Sequence, residues 1–216
     1  AMDVNTGEIL ALASNPTFDP SIYVGTVDEG DLKALAEKGA NAPTLNRAID
    51  GTYPPGSTFK PITALAALGQ GLLRAGEVIQ CTGKMVVDKQ TFMNWDPYRN
   101  EPMVLSTALA NSCDTYFYDV GLRFYRLENS PLQRWSRQMG FGVPTGIDLG
   151  PESKGVVPTP EWEKRTEKTE IDKLWTSGES VQLAIGQGDL LVTPLQMTRA
   201  YAMIANGGKL VEPHLV

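Results

Sequence analysis

Ser57 and Lys60 are the pair in this sequence whose types and spacing can do covalent chemistry. On a helix, side chains three residues apart are neighbours, with Cβ atoms about 5–6 Å apart, so the hydroxyl and the amine are expected to hydrogen-bond. Burial and the positive end of a helix both disfavour an ammonium group. An uncharged Lys60 can take the Ser57 proton as the hydroxyl attacks a carbonyl. The free backbone N–H groups at the same helix end favour the oxyanion that such an attack creates. Taken alone, Ser-x-x-Lys reads as an ordinary surface pair. Its setting argues otherwise: it follows the rigid turn Tyr53-Pro54-Pro55-Gly56 and opens a stretch of small and apolar residues running to Gly69. A helix that apolar is buried.

Two rival chemistries fail on these residues. Gly51 to Thr58 has the outline of a phosphate loop, but Pro54 and Pro55 lack the N–H groups a phosphate cradle uses, and Ser57 stands where its lysine belongs. A Ser-His-Asp triad has only His214 to draw on, the single histidine of the chain.

The elements that must position the pair can be read from punctuation and apolar spacing. Pro61 is tolerated only in a first helical turn, so the helix bearing Lys60 must begin near Ser57. Met2 to Ser14 reads as a hairpin around Asn5-Thr6-Gly7. A helix is expected from Asp31, as N-cap, to Lys38, with Gly39 as its stop. Short strands are expected at Val78-Ile79 and Met85-Val86-Val87. Ser106 is expected to cap a helix through Ala110. After a break at Asn111 to Asp114, an aromatic helix should run from Thr115 to about Phe124. Ser130-Pro131 and Thr159-Pro160 each start a further helix, the first ended by Gly140. Thr193, Pro194 and Asn206-Gly207-Gly208 bound the last one.

Composition sets the outer limits. An apolar share of 42% and a charged share of 20% over 216 residues are those of an ordinary globular chain with a real core. A net charge of −6 with no block of cations makes nucleic acid a poor partner, since phosphate neutralisation needs clustered Lys and Arg. Arg134 and Arg137 read as a solvated helix face. No apolar run is long enough to span a bilayer. Cys81 and Cys113 match no metal spacing, and with one histidine they cannot fill a zinc site without carboxylates. They read as unpaired small apolar side chains, with a disulfide open to them in an oxidising compartment. Tyr116, Phe117 and Tyr118 read as core aromatics, and packing is the default for Trp95 and Trp175.

The run Tyr53-Pro54-Pro55-Gly56-Ser57-Thr58-Phe59-Lys60-Pro61 closely resembles the active-site helix of class B penicillin-binding proteins. Ala110 to Tyr118 resembles their second motif, Ser-x-Asn, in a form with Asp114 at the third place. Gly186-Gln187-Gly188-Asp189 to Gly208 is similar to the family's Gly-Gln-Gly … Thr-Pro-Leu-Gln … Ala-Asn-Gly-Gly segment, and Asp3 to Ser14 resembles its first strands. The likeness covers nearly the whole chain, and the penicillin-binding protein 2-like branch is nearest.

The resemblance implies an α/β (α+β) fold with helices packed on an antiparallel sheet, as in penicillin-binding proteins and serine β-lactamases. The family's third motif, Lys-Thr-Gly or Lys-Ser-Gly on a strand, does not occur in these residues. Residues 1–216 are therefore read as one partial transpeptidase domain, a helix-rich fragment with part of the sheet missing and inactive alone. Ser57 would be acylated by a peptidoglycan stem peptide ending in D-Ala-D-Ala, and an amine on a neighbouring stem would take the acyl group. Lys60 would be the base, Ser112 a proton relay, and Asp114 the holder of Lys60, with Gln187 and Gly188 near the substrate. β-Lactams would trap Ser57. The resemblance implies no cofactor and no metal. It implies a place outside the cytoplasmic membrane with a tether absent from these residues, and it leaves open a wall glycosyltransferase as partner.

One departure bears on the chemistry. An ionised Asp114 cannot donate to a substrate carbonyl, and it favours a charged Lys60. Taken alone, Ser112 and Asp114 read as helix caps and Gln187-Gly188 as a turn. A β-lactamase or β-lactam sensor, and a catalytically dead scaffold module, are the competing functions.

Overall fold

The structure, a computed structural model, describes residues 1–37, 39 and 41–215. In chain order its elements are α1 (Glu29–Ala36), α2 (Lys60–Gly69), β1 (Ile79–Thr82), β2 (Lys84–Val87), β3 (Gln90–Met93), β4 (Asn100–Met103), α3 (Leu105–Ala110), α4 (Asp114–Tyr125), α5 (Pro131–Gln138), α6 (Pro160–Thr166), α7 (Ser177–Ala184) and α8 (Pro194–Ala205). Short 3₁₀ turns lie at Pro20–Tyr23 and Gly56–Phe59. The chain forms two compact units. One joins Ala1–Tyr53, Val143–Gly155 and Val192–Val216; the other joins Pro54–Gly142 and Val156–Leu191.

The first unit gathers three separated segments around two apolar clusters. Met2, Ala202 and Val211 form one, with Val4 and Ile9 against them; Ile49, Ile147 and Leu195 form the other. The expected opening hairpin is there: Met2 bridges Ile9, and Asp3 Oδ1 accepts from the N–H groups of Asn5 and Thr6 in the turn. Helix α8 has the predicted ends. Thr193 and Gln196 form a reciprocal capping box, Pro194 takes the first helical place, and Asn206 is the C-cap. The buried Gln196 amide also donates to the carbonyls of Val143 and Lys154, tying two segments of this unit. Helix α1 is capped by Asp28 and not by Asp31, because the Asp28 carboxylate reaches the N–H groups of Gly30 and Asp31. The helix end expected at Lys38 lies outside the described residues.

The second unit is built around α2 and α4. Helix α2 carries six buried residues among its ten, as its composition demands. It packs on α4 and α5, and Thr63 Oγ1 donates to Ala184 O at the end of α7. Helices α4 and α7 approach closely because Gly121 has no Cβ; one there would meet the Ser180 carbonyl at 2.8 Å. The sheets are small: β1 pairs antiparallel with β4, and β2 with β3. Tyr116, Phe117 and Tyr118 are buried as expected. Arg134 and Arg137 are exposed on α5.

Several elements depart from the sequence reading. Helix α3 starts at Leu105, with Val104 at a cap position that makes no side-chain bond, so Ser106 is inside the helix. Helix α4 starts at Asp114 because the Cys113 sulfur, one residue earlier, accepts from the Tyr116 N–H. Strands β3 and β4 were not foreseen. Their apolar content is low, and they exist through pairing with β2 and β1. Helix α7 was also not foreseen, although Thr176-x-x-Glu179 is a capping-box signature and forms one here.

Candidate active site

Every residue of the Ser-Lys-Ser-Asp constellation lies in the second unit. Gly56 adopts φ +56°, and its N–H donates to Gly186 O at 2.8 Å, which fixes the turn that delivers Ser57. Gly186 must stay bare, since a Cβ on it would lie 2.3 Å from Gly56 O. Ser57 sits in the 3₁₀ turn and Lys60 opens α2 directly after it. In a 3₁₀ turn residues three apart eclipse, so the two still share a face.

They do not bond to each other, which corrects the direct Ser57–Lys60 hydrogen bond expected from the spacing. Ser112 stands between them. Its Oγ donates to Ser57 Oγ at 2.8 Å, and Lys60 Nζ donates to Ser112 Oγ at 3.1 Å and Ser112 O at 2.7 Å. Ser112 holds φ +51°, left-handed for a non-glycine residue, between α3 and α4. Such a conformation costs about 1–3 kcal/mol and persists where its surroundings over-determine it. Here the Lys60 bonds to both the carbonyl and the hydroxyl of Ser112 do so.

The amine makes a third bond, to Asp114 Oδ1 at 2.6 Å. Three acceptors satisfy the three donors of an ammonium group. Lys60 is 1% exposed, and the face of Phe117 lies 5.7 Å from Nζ. Burial pulls its pKa below the ordinary lysine value, and Asp114 works in the opposite direction. The amine is therefore poised between a desolvation that favours the neutral form and a counter-ion that favours the charged one.

Both Asp114 oxygens are used. Oδ2 accepts the Trp95 N–H at 2.9 Å, and the Asp114 N–H in turn donates to Asn94 Oδ1 at 3.0 Å. An aspartate suits this place because two donors converge on it, and an asparagine has one acceptor oxygen. Trp95 is 62% exposed rather than packed, and its Nε1 donates to Asn111 O. The Asn94-Trp95 corner was missed by sequence reasoning. It stands some twenty residues from the motif it holds, and only the β2–β3 hairpin brings it there. Tyr118 is held as a neutral phenol, pushed up to about 12 by burial and by Asp114, and donates to Met93 O on the same hairpin.

Cys81 and Cys113 form a disulfide, which corrects their reading as unpaired. Strand β1 lays Cys81 against the N-cap of α4, a contact no sequence spacing reveals. The bond sits between Ser112 and Asp114, and Asn94 Nδ2 also reaches the Cys81 sulfur. Gln187 and Gly188 lie exposed in the loop after α7. The Gln187 amide nitrogen is near enough to meet a Cβ on Gly56 at 3.4 Å. Trp175 is half-buried, its Nε1 donating to Ser180 Oγ.

Fold and site together define the Ser-x-x-Lys class of penicillin-recognising domains. A family model described as the penicillin binding protein transpeptidase domain matches residues 1–216, and the chain belongs to that family, in its PBP2 (MrdA) branch. It is 38% identical over 218 residues to the peptidoglycan D,D-transpeptidase MrdA of Acinetobacter baumannii, covering 100% of this chain and 31% of that protein. The structure of Pseudomonas aeruginosa PBP2 in complex with WCK 5153 is similar at TM-score 0.89 and 32% identity, over 99% of this chain and 47% of the other. A chain from a peptidoglycan synthase complex, described as coordinating polymerization and crosslinking, is similar at TM-score 0.87 and 37% identity. That match covers 100% of this chain and 36% of the other. The chain thus spans about a third of the length of its curated relative.

Proposed function

We propose that this chain is the acylating part of a peptidoglycan D,D-transpeptidase with Ser57 as its nucleophile. The reading is carried by the unbroken hydrogen-bonded line from Ser57 through Ser112 to a buried Lys60. With Lys60 neutral, the line reverses: Ser57 donates to Ser112, and Ser112 to the lysine lone pair. Ser57 Oγ then attacks the carbonyl of the penultimate D-alanine in a stem peptide ending D-Ala-D-Ala. Its proton moves to Ser112 while the Ser112 proton moves to Lys60. The adduct collapses with cleavage of the C–N bond, and Lys60 returns a proton through Ser112 to the departing D-alanine nitrogen. An amine of a neighbouring stem attacks the acyl carbon, losing its proton through Ser112 to Lys60; the acyl C–Oγ bond then breaks, and the proton returns along the same line to Ser57 Oγ. Asp114 keeps Lys60 in place, and Gln187 and Gly188 border the substrate beside the Gly56 turn. A β-lactam enters the first half of this cycle and remains on Ser57.

This reading places the protein on the outer face of the cytoplasmic membrane. The Cys81–Cys113 bond supports that placement, since disulfides persist in oxidising compartments. No described helix is long and apolar enough to cross a membrane. A wall glycosyltransferase is the partner this reading favours, on the likeness to a synthase-complex chain.

The test is intact-mass analysis of the full-length protein after incubation with benzylpenicillin. One adduct is expected, mapped to Ser57 and absent in Ser57→Ala; an adduct on another side chain, or none, sinks the reading. Rapid return of the free mass on chase would instead assign a β-lactamase.

A further inference from the structure

We propose that Asn94 is a positioning residue for acylation: it holds the first turn of α4, and with it the placement of Asp114 and Ser112 against Lys60. This deepens the transpeptidase reading and rests on it. Asn94 directly follows β3, its side chain is 4% exposed, and both ends of its amide are used. Oδ1 accepts the Asp114 N–H at 3.0 Å, and Nδ2 donates to the Cys81 sulfur at 3.7 Å. Cys81 is bonded to Cys113, the residue before Asp114. Both ends of the amide therefore hold one cross-linked corner, the turn from which Ser112 and Asp114 accept from Lys60.

The start of a helix leaves N–H groups that a cap must satisfy. Cys113, at the N-cap place of α4, offers only a sulfur, a weak acceptor, and that sulfur serves Tyr116. The oxygen that satisfies the Asp114 N–H comes instead from Asn94, twenty residues upstream. Asn94 can supply it because its own backbone is fixed on three sides. Its N–H donates to Gly83 O at 2.9 Å, the Met93 carbonyl before it accepts from the Tyr118 hydroxyl at 3.0 Å, and the Trp95 N–H after it donates to Asp114 Oδ2 at 2.9 Å. Gly83 has to stay bare for this turn to lie on it, since a Cβ there would stand 1.9 Å from Pro97 O. The far end of the hairpin is pinned as well, where Asp88 accepts from Ser177 Oγ on α7. Loss of Asn94 Oδ1 leaves a buried N–H without a partner and frees Asp114 to turn away from Lys60. Among the described residues Asp114 is the charged group that faces Lys60. The titratable groups facing Asp114 are Lys60 on α2 and the neutral Tyr118 phenol on α4. A displacement of Asp114 is therefore read in the protonation of Lys60.

The experiment compares full-length native protein, Asn94→Ala and Asn94→Asp by stopped-flow acylation with a fluorescent penicillin across the pH range. Rates are taken per folded molecule, from circular dichroism on the same samples. Aspartate keeps an acceptor oxygen for the Asp114 N–H, and alanine keeps none. Asn94→Ala should lower the plateau rate about ten- to a hundredfold. It should also move the acid limb to lower pH, since Asp114 no longer holds a proton on Lys60. Asn94→Asp should recover most of the plateau rate, with a limb no lower than the native one. A residue that only stabilised the fold would leave plateau and limb of the folded molecules in place. That outcome in Asn94→Ala overturns the proposal, as does an Asn94→Asp protein as slow as Asn94→Ala. If Asn94→Ala does not fold, Asn94→Ser replaces it under the same expectations, because its hydroxyl stops short of the Asp114 N–H. Native protein that takes no penicillin on Ser57 sinks the transpeptidase reading itself; normal labelling of native protein with unaffected variants sinks the role of Asn94 alone.

Discussion

Replacing Asp114 with asparagine removes one charge and one acceptor from the surroundings of Lys60. In the native site Oδ1 accepts from Nζ at 2.6 Å and Oδ2 accepts the Trp95 N–H at 2.9 Å. Asparagine has a single acceptor oxygen. If that oxygen stays on Trp95, its amide N–H faces Nζ, and only a neutral lysine, with a lone pair, can accept it. An opposite charge at this range shifts a pKa by about 1–3 units. Lys60 already lies below the ordinary lysine value through burial, with Asp114 holding it up. Removing the carboxylate should lower it further, since desolvation then acts without the counter-ion. Attack by Ser57 needs the neutral amine, so the acid limb of the acylation rate should move to lower pH by the same amount. Well below the native midpoint, Asp114→Asn should keep about ten- to a thousandfold more of its own plateau rate than the native protein keeps. Stopped-flow acylation by a fluorescent penicillin across the pH range reads this directly. A limb that stays in place, or moves to higher pH, refutes the coupling of Asp114 to the protonation of Lys60.

Gly186→Ala should displace the nucleophile turn, since its Cβ would lie 2.3 Å from Gly56 O at φ +75°. Acylation should slow by about a hundredfold, and denaturant melts should show a loss of about 2–3 kcal/mol. Paired Cys81→Ala and Cys113→Ala substitutions remove a cross-link between residues 32 apart and should cost about 2–4 kcal/mol, read by urea unfolding; an unchanged midpoint would contradict the pairing. Glu163, raised to about 8 among Glu179, Asp189 and Glu167, binds a proton in the fold that the unfolded chain has released. Stability should therefore be full below the unfolded carboxyl pKa and fall as pH rises toward about 8. The folded-to-unfolded ratio should drop by up to about tenfold per pH unit. Glu163→Gln should flatten that slope in thermal melts taken across the window.

Much of the local structure was written in the residues. Thr193-Pro194 and Asn206-Gly207 bound α8 because capping and proline preferences act over a few neighbours. The apolar run after Ser57 forms a buried helix because nothing in it can face water. The Ser57–Lys60 spacing placed both groups on one face. Strands β3 and β4 were not legible, since each exists through a partner and not through its own pattern.

The identity of the reacting pair was local information, and its wiring was not. Only the tertiary structure put Ser112 between Ser57 and Lys60, Trp95 on Asp114, Cys81 against Cys113, and Glu163 behind Glu179 and Asp189. These contacts join residues far apart in the chain. They depend on how deeply Lys60 and Glu163 are buried and which groups are buried beside them. That depth sets the protonation of both groups, and it belongs to packing rather than to any stretch of sequence.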